Sequence, residues 1–460
     1  MKIDIYTDSY EPEVNGVVTQ VVSLRKQLLL RGHKVKTFAP NVPGFKDKDK
    51  NVYRLLSLRV MKNIEQRLAL PSKSLVSTFW QKADVVHAHS PGPVGAFGLV
   101  HARLYRMPYI FTYHTDLSEY THYLLDGKLL RPRHAKSFSK FYCNLADVVI
   151  APSEKIKKML LEWGVTKPIK VVSNGVDLSK FPGKENYLVK NNFVKKQDQV
   201  LLFVGRIAKE KNIEFLINVF PKIRAKNPKA KLVIAGTGPH KAYLEKMARG
   251  NRGIVFTGLV EPDFVGDVYA GGDIFLFSSS TEIHPLCVVE ALASGLPVVG
   301  LDDEALNNMV FDGKNGFRVE NESKFVDAVC RLLANDKLRL DFGHKSRSIA
   351  VGRFSANASL KKHLEVYREA ILSRNGKDII TKIGSGALGL RKNRFVFKSV
   401  VAALVAVMVL TVAFYGPTDI KAAPGKVISK VNPKVFATSS VRKIRTGVDR
   451  IEDKIGKARD

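Results

Sequence analysis

From Lys2 to Gly300 the chain alternates short apolar, β-prone runs with stretches of helical periodicity, and no other feature limits the fold as tightly. Runs at Lys2–Tyr6, Lys34–Phe38, Asp84–His87, Tyr109–Tyr113 and Asp147–Ile150 form one series. Val200–Gly205, Lys231–Ala235, Ile254–Thr257 and Asp273–Phe277 form a second, and Pro297 opens a further strand at PVVG. Between the first two runs, Val17, Val21, Leu24 and Leu28 make a helical stripe that Gly32 closes. Parallel strands need such crossovers, so the alternation predicts α/β architecture with parallel sheets. At 460 residues there is room for two ordinary domains and an appendage.

In open parallel sheets, ligands sit beyond the carboxyl ends of the strands, and the chemistry-bearing residues cluster at those points. Ser278 to Gly300 reads as strand end, polar loop, short helix and next strand. Pro285 falls where a first helical position would be, and Gly295 where a left-handed stop is cheapest. Glu290 interrupts an otherwise apolar helix, and Glu282 lies in the loop before it. A carboxylate in that helix is costly unless hydrogen-bonded. Facing one cleft, the pair suits hydroxyl-rich ligands; a loop carboxylate and a helix-edge carboxylate in water is the other reading. Arg206 and Lys211 follow the strand ending at Gly205 and can both reach a diphosphate. Gly236 and Gly238 form a glycine-rich strand-to-helix turn, and the Gly16 turn puts backbone N–H groups at a helix start. His114 ends a strand, placed to polarise or orient hydroxyls.

Taken together these motifs resemble the retaining glycosyltransferases of family 4. TEIHPLCVVEALASGLPVVG is similar to their donor-site element, and the likeness extends in order over roughly Met1 to Leu372. It implies the GT-B fold, two Rossmann-like domains facing a cleft. An acceptor-side domain is expected at 1–173, a donor domain at 174–354 and a helix crossing back at 355–375. It also implies that Glu290 holds the donor ribose and that Glu282 lies beside the donor sugar and phosphate. Gly205, Arg206 and Lys211 match the family's donor motif, and Asn15-Gly16-Val17 its turn near the phosphates. Catalytic roles then fall to His114, Glu282, Arg206 and Lys211. Donor contacts fall to Gly16, Gly205, Gly236, Gly238, Leu286 and Glu290 as well, and acceptor-side contacts to Asn15, Tyr113, His122 and Tyr123. Relatives usually carry Gly where this chain has Pro285, which removes one backbone N–H from the diphosphate.

FTYHTDLSEYTHY and LDDEALNNMVFDGKNGFRV resemble the corresponding stretches of diacylglycerol glucosyltransferases. The implied reaction moves a hexose, glucose from UDP-glucose, to a membrane lipid such as diacylglycerol. Mannosyl or other hexosyl transfer to phosphatidylinositol, or to a lipid-linked or cell-surface saccharide, is the alternative. No cofactor and no essential metal are expected. Asp47-Lys48-Asp49 has the spacing of a metal-binding DxD, but in KDKDK it reads as a solvated charge run. Cys143, Cys287 and Cys330 lack disulfide or zinc spacing and fit a reducing cytosol.

The net charge of +31 calls for an anionic partner. No zinc-ligand or aromatic RNA-recognition pattern supports nucleic acid, so an anionic membrane is expected. A non-catalytic membrane scaffold is opposed by the joint presence of Glu282, Glu290, Arg206 and Lys211. Arg54–Leu70 and Arg131–Lys140 are basic segments that suit a lipid surface or an ordinary helix face. MKIDIYTDSY has no apolar signal-peptide core. Towards the other end, a basic linker at 376–394 precedes an apolar run at 395–415, long enough to cross a bilayer. Arg391, Lys392, Arg394 and Lys398 would keep the catalytic domains cytoplasmic. The basic tail, 416–460, contains an amphipathic helix pattern at Val441, Ile444, Val448, Ile451 and Ile455.

Overall fold

The computed structural model describes residues 1–13, 15–59, 67–69, 81–114, 132–279 and 282–384. Strands β1 (Lys2–Tyr6), β2 (Lys34–Pro40), β3 (Val52–Leu55), β6 (Val85–Ala88), β7 (Tyr109–Thr112), β8 (Val148–Ala151) and β9 (Ile169–Val171) make one sheet, in the order β3-β2-β1-β6-β7-β8-β9. Its pairings are all parallel. Between β3 and β6, β4 (Ser57–Arg59) and β5 (Arg67–Ala69) form a small antiparallel ribbon. The second sheet contains β10 (Gln199–Val204), β11 (Ala230–Ala235), β12 (Ile254–Gly258), β13 (Ile274–Phe277), β14 (Val298–Leu301) and β15 (Gly316–Val319), ordered β12-β11-β10-β13-β14-β15 and again parallel. Each sheet thus reverses its winding once, at β1/β6 and at β10/β13. Those two switch points are where a doubly wound sheet opens a crevice.

The strands are legible in the sequence because both faces of each sheet are covered, so they are apolar throughout. In β1, Ile3 and Ile5 enter one core and Tyr6 the other; in β10, Leu201 and Phe203 point one way and Val200 and Leu202 the other. Helix α1 (Gly16–Leu30) buries Val18, Val21, Leu24 and Leu28. Helices α2 (Pro93–Leu104), α3 (Pro132–Leu145) and α4 (Glu154–Glu162) complete the first unit. In the second, α5 (Leu286–Ala293) follows the loop after β13. Pro285 caps α5 from just outside instead of occupying its first position, and Gly295 takes the left-handed stop at φ +76°.

Helix α6 (Ala356–Gly384) returns to the first unit, where Leu360, Leu364, Tyr367 and Ala370 pack with Ile3, Ile5, Val21 and Leu28. The chain passes between the units at Gly175–Val176 and at Ser355–Ala356, and these passages lie side by side: Val176 bridges Ser355, and a Cβ on Gly175 would sit 2.8 Å from the Ala356 Cα. Buried Gln20 holds both backbone groups of Gly175 through its amide.

Of the two basic segments, the first departs from expectation and the second keeps to a helix face. The described part of Arg54–Leu70 is strand, not helix. Arg54 pairs with Asp47 at 2.8 Å and lies over the rings of Tyr10 and Phe45, so it fastens a sheet edge. Asp49 likewise pairs with Arg25, which corrects the reading of Asp47-Lys48-Asp49 as solvated. Helix α3 buries Ala135, Phe138 and Tyr142 and exposes Arg133, Lys136, Lys140 and Phe141. All three thiols are free. Among the described residues no helix is long and apolar enough to cross a membrane; 395–415 lies outside them.

Candidate active site

The β10/β13 switch point gathers most of the expected donor residues. Strand β10 ends at Val204, and Gly205 to Asn212 turn over its carboxyl end. Arg206 is exposed and pairs with Glu210 at 2.8 Å, one helical turn on. The Lys211 ammonium is ion-paired with the Glu282 carboxylate, both largely buried. Two hydroxyls just beyond β13 fasten this turn to the β13 loop: Ser278 Oγ donates to the Lys211 carbonyl at 2.8 Å and Ser279 Oγ to that of Glu210 at 3.0 Å. The polar Ser278–Ser279 break after β13 is therefore a staple that holds two cations in place.

Gly236 and Gly238 stand against this turn for a steric reason. A Cβ on Gly236, which has φ +138°, would lie 2.0 Å from the Gly205 carbonyl oxygen. One on Gly238 would lie 2.2 Å from that of Ile207. Their small size lets two loops press together, and Ile207 N donates to the Thr237 carbonyl across the contact.

Half-buried Glu290 on α5 accepts a hydrogen bond from the Tyr269 hydroxyl at 3.0 Å, which answers the cost of a carboxylate in an apolar helix. Burial still raises its pKa to about 7, against the lowering effects of Tyr269 and Lys180. It is thus placed to titrate near neutrality, as acceptor or donor to a hydroxyl.

Across the cleft, the β1/β6 switch point carries α1 and the strand-end histidines. Asn15 caps α1, its Oδ1 accepting from Val18 N at 3.0 Å and its Nδ2 donating to Ser9 Oγ at 2.8 Å. Gly16 comes next, where a Cβ would sit 3.6 Å from Leu286 Cδ1 on α5. These two expected donor residues, from opposite halves of the chain, thus lie face to face. His114 is half-buried, and its Nε2 lies 2.9 Å from His89 Nδ1. Burial lowers its pKa to about 3, so it is a neutral imidazole.

Tyr113 is different. It is 2% exposed, with its hydroxyl against Ser139 and its ring edge-on to Phe111 and Trp163. Successive side chains at a strand end point to opposite sides, so the residue before His114 goes into the core and not to the acceptor side. His122 and Tyr123 lie outside the described residues. Among the described residues no cluster of three or more His, Cys, Asp or Glu is placed to hold a metal ion.

A clasp between the halves was not foreseen. Ser153 Oγ, at the start of α4, donates to the Ile283 carbonyl at 2.8 Å. Lys155 Nζ reaches the Glu282 carbonyl at 3.1 Å and pairs with Asp303 at 2.8 Å. Ile283 packs onto the first unit's core. The loop carrying Glu282 is therefore held from both sides.

Two family models match the chain, one in each half. Residues 14–180 match the family model described as Glycosyltransferase Family 4, and residues 198–335 that described as Glycosyl transferases group 1. The alpha-monoglucosyldiacylglycerol synthase of Streptococcus pneumoniae is 30% identical over 399 residues, 83% of this chain and 89% of that protein. A GDP-mannose-dependent alpha-mannosyltransferase of Mycobacterium tuberculosis is 29% identical over 344 residues, 72% and 88% of the respective chains. Among solved structures, Anabaena Alr3699/HepE, determined with UDP and glucose, superposes with a TM-score of 0.63 at 17% identity, covering 80% of this chain and 100% of that one, a likeness of fold. With two Rossmann-like units, a charged and a neutral wall between them, and relatives matched over most of their length, the chain belongs to glycosyltransferase family 4.

Proposed function

We propose that the protein transfers a hexose, glucose from UDP-glucose, to the hydroxyl of a membrane lipid such as diacylglycerol, with retention at the anomeric carbon. The observation that carries the donor half is the stapled turn beyond β10, which carries the Arg206–Glu210 pair and sets Lys211 against Glu282, with Glu290 nearby on α5. The diphosphate binds Arg206 and Lys211, exchanging its charge for those of Glu210 and Glu282. Glu290 holds the ribose, and the Gly16 turn and the first N–H groups of α5 face the phosphates. Glu282 and His114 orient the sugar. The bond from the anomeric carbon to the diphosphate oxygen breaks, a bond to the lipid oxygen forms on the same face, and the lipid's proton leaves with the diphosphate. The leaving charge is met by the two cations in place of a metal.

The lipid acceptor rests on the S. pneumoniae relative and on the chain's charge of +31. The basic exposed face of α3 suits an anionic bilayer. The apolar run at 395–415 would anchor the protein as a single pass, with the catalytic units on the cytoplasmic side. The M. tuberculosis relative favours a second reading, mannosyl transfer from GDP-mannose, for which we take phosphatidylinositol or a lipid-linked saccharide as the acceptor.

Detergent-solubilised full-length protein, given UDP- and GDP-sugars with and without each lipid, separates these. Diacylglycerol-dependent release of UDP from UDP-glucose, lost in Arg206→Ala, is the expected result. Turnover with GDP-mannose alone selects the second reading, and no turnover with any pair overturns both.

A further inference from the structure

Behind His114 lies a stack of buried imidazoles that the proposed reaction does not use. His87 and His89, two apart at the end of β6, lie with ring centroids 4.0 Å from each other. The His87 ring is pinned at both nitrogens, Nδ1 to the Tyr367 hydroxyl at 2.8 Å and Nε2 to Thr112 Oγ1 at 2.7 Å. Tyr367 comes from α6, so the returning helix locks the bottom of the stack. His89 rests on this fixed ring and meets His114 Nε2 through Nδ1 at 2.9 Å. Its own Nε2 is buried and has no hydrogen-bond partner among the described residues.

Burial and the neighbouring rings lower the pKa values of His87, His89 and His114, so the stack carries no protons beyond one per ring. A hydrogen bond between two neutral imidazoles needs an N–H on one and a lone pair on the other. If His114 donated, His89 would bury an N–H at Nε2 with no acceptor, the rarer and costlier orphan. If His89 donates, what remains at its Nε2 is a lone pair.

We propose that His89 is a positioning residue: its Nδ1–H donates to His114 Nε2 and fixes the His114 ring in one orientation and one tautomer, with Nδ1–H offered to the cleft as a hydrogen-bond donor. This rests on the reading of His114 as a residue that orients the sugar. A donor at that point matches an oxygen lone pair of the hexose, and a ring that cannot flip or change tautomer presents it without reorganisation.

The test compares His89→Leu, His89→Asn and His114→Ala in the full-length protein, with UDP binding as the check on folding. The Asn amide N–H stands where the His Nδ1–H was. His89→Leu is expected to lower kcat by roughly a hundredfold with UDP affinity unchanged, and His89→Asn to restore most of it. Nitrogen-15 spectra of histidine-labelled wild-type protein should show the His114 proton on Nδ1. Mixed tautomers are expected in His89→Leu and the wild-type pattern in His89→Asn. Wild-type turnover in His89→Leu, beside a dead His114→Ala, overturns the positioning role and spares the reading of His114. An active His114→Ala overturns that reading itself. A proton on His114 Nε2 in the wild type overturns the assignment whether or not the leucine variant folds.

Discussion

The two walls of the cleft are held in shape by opposite means. On the donor-side wall charge meets charge: Arg206 with Glu210, Lys211 with Glu282, and Lys155 reaching across to Asp303. On the other wall, neutral ring meets neutral ring, from His114 through His89 to His87 and Tyr367. Ion pairs can be exchanged for a charged ligand at little net cost, because each cation has a carboxylate to give up and a phosphate to gain. Neutral hydrogen-bonded rings have nothing to exchange, and what they supply is fixed direction. Under the proposed function, diphosphate binding therefore falls to the first wall and hydroxyl geometry to the second.

The largest expected effect breaks the charged wall. Lys211→Ala removes a cation from the leaving group and strands Glu282, so kcat for hexosyl transfer should fall about 10²–10³-fold. A loss under about threefold would leave that wall without its assigned task. A smaller effect comes from loosening the clasp. Lys155→Met leaves Asp303 without its cation and loosens the Glu282 loop on the side where Ser153 still holds it, so kcat/KM for the donor should drop about tenfold. An unchanged kcat/KM would mean that Ser153 and the packing of Ile283 hold the loop without Lys155.

The smallest effect is in pH, where the walls should differ in sign. His114 and, on α6 with its ring 5.8 Å from that of His87, His363 have depressed folded values, about 3 and about 4. Their contribution to stability is present above the ordinary value of 6.5 and is lost as pH falls below it. Glu290 is raised to about 7, so its contribution is present below the ordinary carboxyl range and lost as pH rises through 7. Glu290→Gln should therefore melt a few degrees (about 2–4 °C) higher than wild type at pH 8, with the gap closing by pH 5, while donor affinity falls. An equal gap at both pH values would deny Glu290 its raised pKa.

How much of this could be read from the chain follows from the same physics. Strands buried on both faces announce themselves as apolar runs, and β1, β2, β10 and β11 fall within a residue or two of the runs at Lys2, Lys34, Val200 and Lys231. Edge and ribbon strands do not: β4 and β5 mix Arg with Leu, and β9 and β15 are short and partly exposed. Arg206, Lys211 and Glu282 stood out because each lies in a turn or loop beyond a strand end of the second sheet, and Glu290 because it interrupts an apolar helix. Tyr113 was misread because a strand end alternates sides, and the same alternation was the available signal for His87 and His89. Two histidines two apart in VVHAHS share a face. Tyr269 and Lys155 gave no signal, since each reaches the site from an element remote in sequence, where only the folded chain makes them neighbours.

The assignment of the two walls is tested most directly by isothermal titration of UDP and of UDP-glucose into wild type, Arg206→Ala and His114→Ala. The account predicts that Arg206→Ala weakens both ligands alike, by about tenfold or more. His114→Ala should leave UDP untouched and weaken only the hexose-bearing ligand. Full UDP affinity in Arg206→Ala, or UDP binding lost with His114, would contradict it.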